Sequence, residues 1–139
     1  MSTLRTNALE GVDAKNSITI VAGAGNVTTT NVQEGLNKVW IDIPEGQASI
    51  NDSFNVASLT DTGQGDGAVN FTSSFASANY CILSASQDRD SSTSMTDHDI
   101  TEGQQTTAKY DFETILVNAS SNRFNTDARS YSGILGDLA

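Results

Sequence analysis

The sequence contains a single histidine and a single cysteine, so few of its side chains could act as catalytic bases, nucleophiles or zinc ligands. The histidine lies in Asp97-His98-Asp99, where a neighbouring carboxylate could orient the imidazole for acid–base chemistry. No second histidine is present to complete a zinc site, and no nucleophile–base pair can be assembled around this one. We therefore interpret His98 as a solvated loop residue and predict that the chain is not an enzyme and binds no cofactor.

Acidic residues in two loop regions could bind a calcium ion, since carboxylate oxygens are its preferred ligands. The aspartates concerned are Asp88, Asp90, Asp97 and Asp99 in one region, and Asp61 and Asp66 in the other. Neither region matches the EF-hand pattern. With 17 acidic and 7 basic residues, such pairs are expected by chance, and Arg89 can satisfy its two aspartate neighbours locally. We predict no metal site, with calcium at these loops as the alternative.

Two arginines in polar loops are the best candidates for binding an external ligand. Arg89 lies in the predicted loop from Gln87 to Thr96, and Arg123 lies in the predicted loop from Asn118 to Asn125. Loops on a rigid sheet often carry recognition, and a guanidinium group can bind a carboxylate or an acidic sugar. The alternative is that each arginine only neutralises neighbouring aspartates.

Three residues with apolar side chains have both a functional and a structural interpretation. Cys81 lies in the apolar run Tyr80-Cys81-Ile82-Leu83 and is predicted to be a small buried hydrophobic residue. Trp40 and Tyr80 could line a sugar site, because aromatic faces suit such ligands. Their positions in predicted strands favour the core or a subunit interface, so we predict that Trp40 is structural.

The composition excludes several classes of partner. The net charge of −10 argues against binding to a nucleic-acid backbone or to an anionic membrane surface. No apolar stretch approaches the roughly 20 residues of a membrane-spanning helix, and the N-terminus lacks the apolar core of a secretion signal. Ser and Thr make up about a quarter of the 139 residues, which suits short strands with polar outer faces. Only 37% of the residues are hydrophobic, so we expect a thin core that needs a partner subunit.

The sequence predicts an extended N-terminal arm, residues 1–37, and a β domain, residues 38–139. In the arm, the run from Ile18 to Ala22 predicts a strand or a short hairpin, and Asn31 to Asn37 could form one helical turn. In the β domain, alternating patterns predict six strands: Val39–Ile43, Asn55–Thr60, Ala68–Thr72, Tyr80–Ala85, Thr106–Val117 and Ser130–Leu135. The most apolar of them, Tyr80–Ala85, is predicted to be central. The strand spacing predicts a mainly β fold, a small antiparallel β-sandwich.

A series of motifs runs in order through the first half of the β domain. They are Lys38-Val39-Trp40-Ile41-Asp42-Ile43, Ser53-Phe54-Asn55-Val56-Ala57-Ser58, Asp61-Thr62-Gly63-Gln64-Gly65-Asp66, Val69-Asn70-Phe71-Thr72 and Ala78-Asn79-Tyr80. The series resembles a module in structural proteins and tail fibres of aquatic bacteriophages, cyanophages among them. It covers Lys38 to Ser84, about a third of the chain, and the rest departs from the pattern.

The resemblance implies a virion component that is usually a homotrimer and has no catalytic residues. We expect a short fibre or fibre tip that attaches to other virion proteins through its arm and contacts the host surface, where Arg89 and Arg123 would be the receptor contacts for a glycan. A head-decoration or capsid-fibre protein is the close alternative, and a free-standing carbohydrate-binding module is a third.

Overall fold

The computed structural model of the chain describes residues 19–21, 29–31, 36–87, 95–100, 104–118 and 120–139. These residues form eleven strands in antiparallel sheets, which confirms the predicted mainly β fold. The chain divides into two compact units, Met1–Leu36 and Asn37–Ala139. Within the described ranges, no helix is long and apolar enough to cross a membrane.

The first unit contains one antiparallel strand pair. β1 (Thr19–Val21) pairs with β2 (Thr29–Asn31), with Ile20 opposite Thr30. This pairing agrees with the second of the two predicted possibilities, a strand or a short hairpin, and the residues between the two strands lie outside the described ranges. Asn31, expected to begin a helical turn, belongs to β2, and the next four positions of that predicted turn lie outside the described residues.

The second unit contains a four-stranded antiparallel sheet. Its strands lie in the order β4 (Asp52–Phe54), β3 (Asn37–Ile43), β11 (Ser130–Leu135) and β7 (Cys81–Ser86). In β3 the predicted alternation is present: Val39, Ile41 and Ile43 are fully buried on one face. Among the described strands, β7 pairs only with β11 and lies at the edge of the sheet, so the prediction that this apolar segment is central is wrong.

A five-stranded antiparallel sheet packs against the first. Its strands are β5 (Val56–Gly63), β6 (Asp66–Phe71), β8 (Met95–Ile100), β9 (Lys109–Val117) and β10 (Arg123–Asn125). β9 is the central strand of this sheet, because β6, β8 and β10 all pair with it. The short strands β4 and β10, and the strand β8, were not predicted from the sequence.

The loop between β5 and β6 is shorter than the glycine-rich segment Asp61–Gly67 suggests, since only Gln64 and Gly65 lie between the two strands. Gly65 has a φ of 75°. A Cβ atom there would lie 2.6 Å from the Thr114 carbonyl oxygen and 2.7 Å from the Thr126 nitrogen. Both neighbours are backbone atoms, so this position requires glycine for its conformation and for its close packing.

The core lies between the two sheets and contains a cluster of aromatic rings. The ring centroids of Phe75 and Tyr80 are 4.5 Å apart, and those of Phe71 and Phe75 are 5.2 Å apart. The Tyr80 hydroxyl is within hydrogen-bonding distance of the carbonyl oxygens of Thr106 (3.0 Å) and Lys109 (2.9 Å). Burial raises the pKa of Tyr80 to about 12. Tyr80 is therefore a core residue, as its strand context predicted.

The core also contains a buried polar network. The Gln47 side chain donates from Nε2 to the Thr114 hydroxyl (2.7 Å) and to the Ala128 carbonyl oxygen (3.1 Å). The Thr114 hydroxyl in turn bonds to the carbonyl oxygen of Thr126. Gln47 and Thr114 are fully buried, so these bonds replace the water that the Gln47 amide nitrogen and the Thr114 hydroxyl lose on folding. The Gln47 Oε1 atom is also buried and has no hydrogen-bond partner among the described residues. The network joins β9 to the turn after β3 and to the segment before β11.

Candidate interaction surface

The most unusual surface of the second unit is the outer face of its four-stranded sheet. On β3, Trp40 and Asp42 alternate with the buried Val39, Ile41 and Ile43 and point outward, and 37% of the Trp40 surface is exposed. Exposed large hydrophobic residues are also found on the three other strands of this sheet: Phe54 (53%) on β4, Tyr131 (38%) on β11 and Leu83 (57%) on β7.

Four of the outward residues form one row across the sheet. Trp40 is the register partner of both Phe54 and Gly133, and Gly133 is the partner of Leu83. Directly paired residues of neighbouring strands point to the same face. The order Phe54, Trp40, Gly133, Leu83, called here the apolar row, therefore crosses all four strands, with three large side chains and one position without a side chain.

Gly133 leaves a gap in the apolar row between Trp40 and Leu83. The gap is bordered by the amide of Asn37, whose Nδ2 would lie 3.3 Å from a Cβ atom at Gly133. The amide is at the end of an exposed side chain and offers both a donor and an acceptor. The Asn37 amide therefore lies against the space that a side chain at Gly133 would take, and it covers part of the gap.

The neighbouring row contains charge, but that charge is largely paired. Asp42 is the register partner of Asp52 and of Tyr131. Arg129 donates to Asp42 from Nε (3.1 Å) and from Nη2 (2.7 Å), and its guanidinium group lies 5.2 Å from the centre of the Tyr131 ring. These hydrogen bonds hold the pKa of the Asp42 carboxyl below its ordinary value. Asp42 and Arg129 therefore neutralise each other at the centre of this face, and Asp52 adds one negative charge on β4.

The exposed fractions can be converted into an approximate area. A large apolar side chain has a surface of about 150–250 Å². At their exposed fractions, the four large side chains of this face leave on the order of 400 Å² of apolar surface exposed: Phe54, Trp40, Tyr131 and Leu83. A standard interface buries about 800 Å² per partner, somewhat more than half of it apolar. The apolar area of this face is therefore comparable with the apolar part of a stable protein–protein interface.

Two single residues that were candidates for chemistry are placed differently from their predictions. Cys81 is exposed on the edge strand β7 rather than buried. His98 lies in β8 rather than in a loop, is only 4% exposed, and stacks on Phe112. Neither of its ring nitrogens has a hydrogen-bond partner among the described residues. Burial lowers the pKa of His98 to about 4, against an opposing effect of the Asp97 charge. The prediction of a solvated loop histidine is wrong.

The two arginines chosen as receptor contacts cannot be compared with each other, because Arg89 lies outside the described residues. Arg123 is the first residue of β10, so the loop predicted around it is shorter than expected. Its Nη2 lies 3.4 Å from a carboxylate oxygen of Asp99, and both side chains are largely exposed. Arg123 thus has an aspartate neighbour, and it also faces solvent.

The aspartates considered for calcium binding have protein donors close by. An Asp61 oxygen accepts from the Gly63 backbone nitrogen (3.0 Å), and an Asp66 oxygen accepts from the Asn125 amide (3.1 Å). Asp97 accepts from the His98 backbone nitrogen (2.9 Å). Within the described ranges, no three His, Cys, Asp or Glu side chains are grouped so as to hold a metal ion. Asp88 and Asp90 lie outside these ranges.

An open polar groove of about 490 Å³ lies on the five-stranded sheet. Its lining is rich in hydroxyl, amide and carboxylate groups: Thr60, Thr62, Asp66, Ala68, Asn70, Gln104, Lys109, Asp111 and Phe112. Lys109 is paired with Asp111 at 2.7 Å, and the Asn70 amide donates to the Thr60 hydroxyl at 3.0 Å. Such groups can hydrogen-bond an uncharged polar ligand.

Comparisons of the chain with protein-family models, with curated proteins and with solved structures found no match.

Proposed function

We propose that this chain is a non-enzymatic structural subunit of a bacteriophage particle, a short fibre or fibre-tip component that attaches through its N-terminal residues 1–37. The observation that carries the proposal is the apolar row on the outer face of the four-stranded sheet. The largest apolar patch on a monomeric soluble protein is about 300–600 Å² and is often functional, so a face of this size is a candidate binding surface. A subunit built for assembly accounts for this face.

The position of the sequence motifs supports the same proposal. The motifs that resemble the phage module run from β3 to β7, and they include Trp40 and Phe54 of the apolar row. The module therefore contributes the two neighbouring aromatic residues of the exposed face. Under this proposal, assembly into the virion explains both the resemblance to the phage module and the exposure of these aromatic residues.

A fibre tip also needs a surface for host contact, and we assign this role to the polar groove of the five-stranded sheet. Carboxylates such as Asp111 accept hydrogen bonds from sugar hydroxyls, and amides such as Asn70 and Gln104 can donate to them. The groove lies on a different sheet from the apolar row, so assembly and host contact would use separate surfaces. Arg123 is a second candidate for contact with an acidic glycan.

The alternative is a head-decoration or capsid-fibre protein, which the apolar face favours equally, because such a protein buries one face against neighbouring subunits. Electron microscopy of intact particles labelled with antibodies against the purified chain tests both roles. Label on fibres supports the fibre proposal, and label over the shell supports the decoration alternative. Particles of the encoding phage that contain no copy of the chain would refute the structural role altogether.

A further inference from the structure

We propose that the apolar row is self-complementary and that a second copy of this chain covers it, in a twofold-symmetric pair. The proposal rests on the assembly role proposed above and names the partner that covers the exposed face. It follows from the order of side chains along the row, which is Phe54, Trp40, Gly133, Leu83.

The pairing can be derived from the strand order alone. A twofold axis parallel to the strands and midway between β3 and β11 places two such sheets face to face and reverses the strand order of the second copy. Its β3 then lies over β11 of the first, and its β4 lies over β7. Aligned packing of two sheets about 10 Å apart is a common arrangement in proteins.

In this arrangement the large side chains fill the gaps. Trp40 of each copy faces Gly133 of the other, and Phe54 of each copy faces Leu83 of the other. The indole would enter the one position in the row that has no side chain. The exposed Asn37 side chain, which lies against this position, would turn aside, and its amide oxygen can accept the indole N–H. An unrelated partner surface would have to provide this complement by itself, whereas a second copy already contains it.

The charges agree with the same geometry. Copies with a net charge of −10 repel one another over most of their surface, so they can associate only where charge is low. On this face Asp42 is paired with Arg129 within its own chain. The twofold arrangement also places Tyr131 of each copy opposite Asp42 of the other, where the phenol can donate to the carboxylate. Asp42 and Tyr131 are thus matched, and Asp52 lies opposite Ala85 at the border of the pair.

Sedimentation equilibrium of the purified chain tests the proposal, with matched variants. The wild-type chain is expected to sediment as a dimer. Gly133→Leu adds apolar surface, but its side chain occupies the position that the indole of the other copy would enter. Trp40→Ala removes that indole and leaves the position at Gly133 unfilled. Each is expected to weaken dimerisation by about 30-fold or more, as a central interface residue does. Phe124→Ala shortens an exposed aromatic residue on β10 of the other sheet and is expected to leave the dimer unchanged.

The exchange variant, Trp40→Gly combined with Gly133→Trp, gives the sharpest result. It moves the large side chain from β3 to β11 in both copies, so the two surfaces remain complementary, and dimerisation is expected to recover at least about tenfold over the single variants. Circular dichroism confirms that each variant is folded. Leu83→Ser, which changes an exposed side chain, replaces any variant that fails to fold and should also weaken the dimer.

Three outcomes would overturn the twofold pairing: a wild-type monomer, a trimer of the kind that the sequence resemblance implies, or a Gly133→Leu variant that associates as tightly as the wild type. These results are separate from the test of the structural role. A chain that is present in particles but monomeric in solution would refute the pairing alone. A dimer that is absent from particles would refute the virion role alone.

Discussion

His98 stacks on Phe112 with the ring centroids 4.9 Å apart and an angle of 18° between the planes. Both residues point into the core from neighbouring strands of the five-stranded sheet, where Ile100 is the register partner of Phe112. The Ser84 hydroxyl also donates to the His98 backbone carbonyl oxygen at 3.1 Å. This bond links β7 of one sheet to β8 of the other.

The burial of His98 predicts that the protein loses stability in mild acid. Its pKa is lowered to about 4 in the folded chain, whereas an unfolded histidine titrates near 6.5. Above pH 6.5 the imidazole is neutral in both states and has no effect. As the pH falls from 6.5 to 4, the unfolded chain takes up a proton that the folded chain does not, so stability decreases. At about 1.4 kcal/mol per pH unit, the loss is on the order of 3 kcal/mol.

Urea denaturation at pH 7 and at pH 4.5 measures this effect. The control is His98→Leu, which replaces the imidazole with an apolar side chain that fits the buried site and cannot titrate. Asp42, whose folded pKa is lowered, loses its contribution only as the pH falls below the ordinary aspartate value of 3.8, outside this window. Equal losses in the wild type and in His98→Leu would show that His98 is not the cause.

The tight turn between β5 and β6 predicts a large effect of Gly65→Ala. The new Cβ atom would lie within 2.7 Å of two backbone atoms, and the φ of 75° is unfavourable for alanine. We expect a loss of more than about 3 kcal/mol of unfolding free energy. Gly46 has a φ of 87°, but a Cβ atom added there would meet no heavy atom within 4 Å, so Gly46→Ala isolates the backbone strain and should lose only about 1 kcal/mol. Equal thermal stabilities of the two variants would contradict this account.

The buried polar network predicts that Thr114→Val is destabilising although it preserves the shape of the side chain. The valine cannot bond to Gln47 or to the Thr126 carbonyl oxygen, and both partners stay buried. A loss of about 1–3 kcal/mol is expected in chemical denaturation. Thr62→Val, at an exposed position of β5, is the matched control and should change stability by less than about 0.5 kcal/mol. The network would have no energetic importance if the two variants behaved alike.

The sequence predicted the architecture well where its signal is local. Alternation with a period of two residues is visible within a single strand, so the buried residues of β3 and β9 could be identified without knowing their neighbours. The same signal was present in β8, where His98 and Ile100 alternate with Asp97 and Asp99. Two charged residues in so short a segment are also typical of a solvated loop, so the composition of β8 and its period favour different structures.

The interaction surface could not be predicted in the same way. Phe54, Trp40, Gly133 and Leu83 come from four strands, and only the pairing register brings them into one row. The apolar composition of β7 suggested a central strand, but burial in a core and burial in a subunit interface require the same residue types. Leu83 illustrates this ambiguity, since it is strongly hydrophobic and yet points away from the core.

We propose that the outer face of the four-stranded sheet is an assembly surface, and the intrinsic fluorescence of Trp40 reports on the burial of this face. The chain has a single tryptophan, so its emission reports on this face alone. In a dilution series from about 100 µM to about 0.1 µM, which brackets the affinities of ordinary self-association, we predict a shift of the emission to longer wavelengths and stronger quenching by acrylamide as Trp40 becomes exposed. An emission maximum and a quenching constant typical of an exposed indole at every concentration would contradict the claim.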